Sequence, residues 1–136
     1  LPEALIQGRE ETYLGWFYRT FAFRHDAIGP DDLAEYLRTY RQPGALRAGF
    51  AYYRAIPQDA ADNREIIARL KLPMPVLALG GAVSYPHGRG RGREPEESLR
   101  RVAINVEGGL VPACGHFIPE EAPDLLRDRL LAFFKN

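Results

Sequence analysis

The sequence predicts an α/β chain: a helical first part, residues 1–70, and a second part, residues 71–136, that reads strand, helix, strand, helix. Three observations lead there. Up to residue 70 the apolar side chains recur at three- and four-residue intervals, with no alternation of strands and helices. Val76-Leu77-Ala78-Leu79 is a short continuous apolar run closed by Gly80-Gly81, the pattern of a buried parallel strand. Gly109 to Glu121 then gives a second short strand, a glycine turn presenting His116, and a helix start at Pro119-Glu120-Glu121, where acids meet the helix dipole favourably. Two parallel strands do not make a stable covered sheet unaided, because such sheets usually hold about four or more. The second part therefore reads as the end of a larger sheet.

Taken in order, residues 3 to 21 predict one helix bearing Leu5, Ile6, Tyr13, Leu14, Trp16, Phe17, Tyr18 and Phe21, weakened by Gly8 and Gly15. A connection over 22–31 ends at Gly29-Pro30-Asp31, and a second helix from Asp31 to Tyr40 shows Leu33, Tyr36, Leu37 and Tyr40 on one face. A third helix runs from Ala45 to Ile56, with Leu46, Phe50, Tyr53 and Ile56 in register, and Pro57 ends it. A fourth, more polar, covers Asp59 to Leu70. After the strand at Val76 comes a glycine- and arginine-rich loop over 84–95. A helix follows from Pro95 to Val106 and, beyond the His116 turn, a last helix from Ala122 to Phe134.

Composition narrows the function classes. Eighteen basic and eighteen acidic residues balance, so no global field favours nucleic acid or an anionic membrane. One cysteine excludes an intrachain disulfide framework. No apolar run approaches the eighteen or so residues of a membrane span, and no signal peptide opens the chain. The expectation is a soluble, cytoplasmic protein with no cofactor and no metal, since His25, His87, His116 and Cys114 show no ligand spacing. Leu1 in place of Met suggests that processing or truncation set the start. Gly88-Arg89-Gly90-Arg91-Gly92-Arg93 has the look of an RNA-binding segment, but it is short, lacks interleaved aromatics and runs into Glu94, Glu96 and Glu97, so a solvated loop is expected. Cys114 reads as a small buried residue, not a nucleophile.

His116 stands at the C-terminal end of a strand, where open α/β sheets place their ligands. A histidine in such a turn also has ordinary structural uses. Context decides between these readings. Leu72 to Gly81, followed about thirty residues later by Gly109 to Pro123, resembles the last two strands of an α/β-hydrolase. Arg41-Gln42-Pro43-Gly44 through Tyr52-Tyr53-Arg54-Ala55 resembles the cap segment of epoxide hydrolases.

The resemblance implies the cap and C-terminal part of such an enzyme, with the first strands, the oxyanion motif and the nucleophile elbow outside this chain. No Gly-x-Ser-x-Gly or comparable aspartate elbow occurs here. It implies His116 as general base, suited by an imidazole pKa of about 6.5, and Tyr53 as the acid that opens the epoxide ring. Tyr52 and Phe117 would then border the substrate pocket, and the triad acid would come from an earlier strand, since Gly80 to Tyr85 offers none. The expected partners are a small epoxide and the missing N-terminal half of the fold. Neither nucleic acid nor membrane is expected, and a homo-oligomer stays open. Two alternatives remain: a haloalkane or fluoroacetate dehalogenase using the same base, and a non-catalytic fragment or partner subunit.

Overall fold

A computed structural model describes residues 1–135; Asn136, the last residue of the expected second part, lies outside the described residues. The fold class is the one expected, helices followed by a two-stranded parallel sheet. Contacts group the chain into two compact units: Leu1–Trp16 with Gly29–Leu70, and Phe17–Ile28 with the residues from Lys71 onward.

The first unit begins with α1 (Pro2–Ile6), and α2 (Glu10–Phe21) starts within it. The single helix expected over 3–21 is thus two. Gly8 takes φ +80, a left-handed conformation glycine adopts without steric cost, and its N–H is accepted by the Glu10 carboxylate at 2.9 Å. α3 (Pro30–Tyr40) opens with Pro30 in the first turn, and Asp32 accepts the Gly29 N–H at 2.9 Å, closing the helix start from within. α4 (Ala45–Ile67) replaces the two helices expected either side of Pro57. A proline removes one i→i−4 bond, here the one to the Tyr53 carbonyl, and the bonds before and after it carry the helix through. Ile6, Leu14 and Leu37 are the buried apolar side chains of this unit, Tyr13 packs edge-on against Phe50 at 6.3 Å, and α4 buries no residue.

In the second unit β1 (Leu72–Gly81) pairs in parallel with β2 (Ala103–Val111), from Val76 opposite Val106 to Gly81 opposite Val111. β1 starts four residues before the expected run, and the pairing is irregular between Leu72 and Pro75, where Pro73 and Pro75 have no N–H to give the ladder. α5 (Glu94–Arg100) is shorter than expected. Ala103 to Val106 belong to β2, because the β-branched Ile104 and Val106 suit the pleat and pair with β1. Ala78, Ala103 and Val106 form the core with Val76 and the α5 residue Leu99.

The chain closes with α6 (Ile118–Glu121), at the helix start expected around Pro119, and α7 (Pro123–Phe133), which matches the last helix expected over Ala122 to Phe134 to within one residue at each end. Glu96 of α5 lies against Gly108 and Arg129 of α7 against Gly109. Adjacent strand positions face opposite ways, so the two helices cover opposite faces of the sheet.

Candidate functional site

The turn after β2 is built tightly. Val111, fully buried, ends the strand; Ala113 takes φ 49, and Cys114 and Gly115 are buried before the exposed His116. The exit from β1 is bonded to this turn, with Ala82 N–H donating to the Val111 carbonyl at 2.9 Å and Val83 N–H to that of Cys114 at 3.0 Å. At Gly81 a Cβ would run into the carbonyls of Cys114 and Gly115. A Cβ on Gly115 would lie 2.5 Å from the Phe21 carbonyl oxygen and 2.7 Å from the Phe23 nitrogen. Both glycines are required by close approach of backbone to backbone.

Three successive amides of the turn are held. His116 N–H donates to the Phe21 carbonyl at 3.1 Å, which also accepts Arg89 N–H at 2.9 Å. Gly115 and Phe117 N–H donate to the two carboxylate oxygens of Glu121, Oε2 at 2.9 Å and Oε1 at 3.0 Å. Oε2 also accepts Phe23 N–H at 2.8 Å and Arg24 N–H at 3.0 Å, while the Arg24 guanidinium donates to the Glu121 carbonyl at 2.9 Å. Glu121 is 2 % exposed. A carboxylate is an acceptor only, and four amide donors are what let such a group be buried.

The His116 ring packs edge-on against Phe21, centroids 5.6 Å apart, and against Phe117 at 5.0 Å; the Arg89 guanidinium lies over the Phe21 ring at 4.6 Å. Phe117 is half-buried and meets Tyr18 at 5.4 Å, so it borders the histidine directly. Neither imidazole nitrogen has a hydrogen-bond partner among the described residues. The ring is therefore placed by its backbone and by aromatic edges. Burial, with the charges of Glu121 and Glu120 adding to it, pushes the Cys114 thiol up to about 12, which keeps it protonated and inert as a nucleophile.

In the first unit Tyr52 and Tyr53 lie on α4, exposed at 74% and 67%, with their rings edge-on at 5.9 Å. The next residue, Arg54, donates to the Glu3 carboxylate at 2.6 Å and ties α4 to α1; this bond holds the Glu3 carboxyl down at about 2. Tyr13, half-buried near Tyr53 and Tyr40, has its phenol pushed above the ordinary range, chiefly by burial. Among the described residues no group of three or more His, Cys, Asp or Glu is placed to hold a metal ion, and no helix is long and apolar enough to cross a membrane.

Sequence reasoning placed His116 and Phe117 side by side and missed Glu121. Glu120 and Glu121 both suit a first helical turn, and only the fold shows which of them turns inward onto backbone amides. Phe21, Phe23 and Arg24 take part through main-chain atoms, which leave no mark on residue type.

No family model matches the chain. It is 37% identical over 133 residues to the soluble epoxide hydrolase of Corynebacterium sp. (strain C12), a match that covers 96% of this chain and 44% of that protein. Among solved structures, wild-type Cfl2 from Burkholderia cenocepacia aligns with a TM-score of 0.83 at 41% identity, over 98% of this chain and 44% of that one. The epoxide hydrolase CorEH aligns with a TM-score of 0.84 at 35% identity, over 97% and 44%. The resemblance read from the Tyr-Tyr-Arg segment and the Cys-Gly-His turn thus holds. The chain is similar along nearly its whole length to part of epoxide hydrolases and other α/β-hydrolases, and spans about 44% of the length of these relatives.

Proposed function

We propose that residues 1–70 and 71–136 are the cap segment and the C-terminal part of an enzyme of the epoxide hydrolase type, whose nucleophile and triad acid lie outside this chain. The carrying observation is the 37% identity to a soluble epoxide hydrolase, which extends over 96% of the chain and so spans both Tyr53 and His116. The two-stranded sheet supports the same reading, since parallel sheets are stable when several strands are covered on both faces.

In this reading a carboxylate oxygen of the missing part attacks one epoxide carbon. The carbon–oxygen bond of the ring breaks, its electron pair goes to the epoxide oxygen, and the Tyr53 hydroxyl supplies the proton. A hydroxy-ester results. Water then attacks the ester carbonyl while His116 takes its proton; the acyl–oxygen bond breaks, the leaving alkoxide takes the proton of the acyl hydroxyl and departs as the diol, the carboxylate is restored, and the proton on His116 returns through water to the Tyr53 phenolate. Tyr52 and Phe117 border the substrate. Alone, this chain is inactive and associates through its uncovered sheet edges and apolar surface, with the missing part or with copies of itself.

The test is hydrolysis of styrene oxide by the full-length gene product. His116→Gln is expected to lower turnover about 10²- to 10⁴-fold, and Tyr53→Phe about 10²- to 10³-fold. Undiminished diol formation in both variants overturns the assignment. Halide release from a haloalkane or fluoroacetate without epoxide hydrolysis overturns it in favour of a dehalogenase. Turnover by the 136-residue chain alone contradicts the division of the site.

A further inference from the structure

We propose that Glu121 is the positioning residue for His116, acting through the amides on either side of it; the proposal rests on reading His116 as the base that hydrolyses the ester. Glu121 has no arginine or lysine paired with its carboxylate among the described residues, and its four partners are all main-chain donors. Two of these, Gly115 and Phe117, flank His116. The other two, Phe23 and Arg24, belong to the strip whose Phe21 carbonyl accepts the remaining amide of the turn, that of His116 itself. One side chain therefore fixes the backbone before and after the imidazole and also the segment that holds it in the middle.

This arrangement fixes the backbone beneath the ring, and the triad acid outside this chain would act on the ring itself. With both imidazole nitrogens free of partners among the described residues, ring direction follows from the backbone at 115–117 and from the Phe21 and Phe117 edges. A displacement on the order of 1 Å in a reacting group costs about 10²-fold in rate. The two carboxylate oxygens are not equivalent: Oε2 takes three amides, whereas Oε1 takes only that of Phe117. In Glu121→Gln the oxygen can keep the three-donor side, and the NH2 group then confronts the Phe117 N–H. The substitution loosens the residue next to His116 and spares most of the anchor.

Attack on the epoxide does not use His116 and hydrolysis of the ester does, which separates positioning from general support of the fold. In full-length product mixed with styrene oxide and quenched at intervals, mass spectrometry follows the covalent ester. Glu121→Gln is expected to form the ester within about threefold of the parent rate and to hydrolyse it about 10- to 100-fold more slowly, so that ester accumulates and KM falls with kcat. Equal slowing of both steps, or of neither, overturns the proposal. Glu121→Asp, which keeps the charge and shortens the reach, is read in the same way if the glutamine variant does not fold. On the unmutated product, amide exchange is expected to be slow at Gly115, His116 and Phe117 together, and free exchange at Gly115 or Phe117 also overturns it. His116→Gln keeps the two ideas apart: if that variant accumulates no ester, the assignment of the base fails whatever Glu121 does.

Discussion

Around His116, three consecutive amides find acceptors, two on a carboxylate that is 2 % exposed, and two glycines let backbone pass against backbone. Around Tyr53, a 23-residue helix has no fully buried residue, the ring is 67% exposed, and the helix is anchored by the ion pair from Arg54 to Glu3 and the edge contact of Phe50 with Tyr13. Both residues are candidates for chemistry, yet the chain prepares them unequally. In the proposed roles the base must meet a water at a set angle, and the turn that carries His116 is fixed by groups that admit little movement. A hydroxyl on a bare helix gains its setting only when other surfaces cover it.

The contrast is broken most severely by Glu121→Ala. Four amides lose their acceptor, and at about 1–3 kcal/mol for each donor left dry, partly offset by entering water, full-length product is expected to lose about 4 kcal/mol, read from its urea midpoint. Gly115→Ala drives a methyl against the Phe21 carbonyl and is expected to cost about 1–3 kcal/mol in the same titration.

Cys114 sharpens the comparison through pH. Its folded thiol resists ionisation up to about 12, while an unfolded thiol ionises near pH 8.5, so the unfolded chain releases its proton first. The contribution to stability is complete below that lower value and is lost as pH rises toward the upper one. Denaturation midpoints are expected to fall across this window in the parent and less in Cys114→Ala. The smallest effect belongs to the proposed cap: Tyr53→Phe is expected to change stability by less than about 0.5 kcal/mol while lowering turnover strongly. Were Tyr53→Phe to destabilise as much as Gly115→Ala, the contrast between the two regions would collapse.

The strands were legible where an apolar run met glycines, as at Val76 to Gly81, because burial on both faces leaves a compositional trace. Ala103 to Val106 was lost to the preceding helix: Leu99, Val102 and Ala103 keep a helical interval by coincidence, and only pairing with β1 decides the state. Pro57 was given too much weight, since one missing bond does not end a helix that continues on both sides. Gly8 was given too little. His116 could be singled out because strand, glycine, histidine and proline follow one another. Its support could not, because carbonyls and amides carry no residue identity and Glu121 looks in sequence like its neighbour.

The Phe21 carbonyl, which accepts the amides of both His116 and Arg89, sets an order of events as well as a position. A ribosome delivers Phe21 to Arg24 first and the Gly115 to Glu121 segment more than ninety residues later. Until then those main-chain groups have no partner from the turn, and the contacts that complete it close across more than ninety residues. Such long-range closure slows folding relative to local helix formation. The histidine's setting is thus finished later than the local helices, and a product released a few residues short of Glu121 would carry the imidazole without the acceptor for the amides on either side of it.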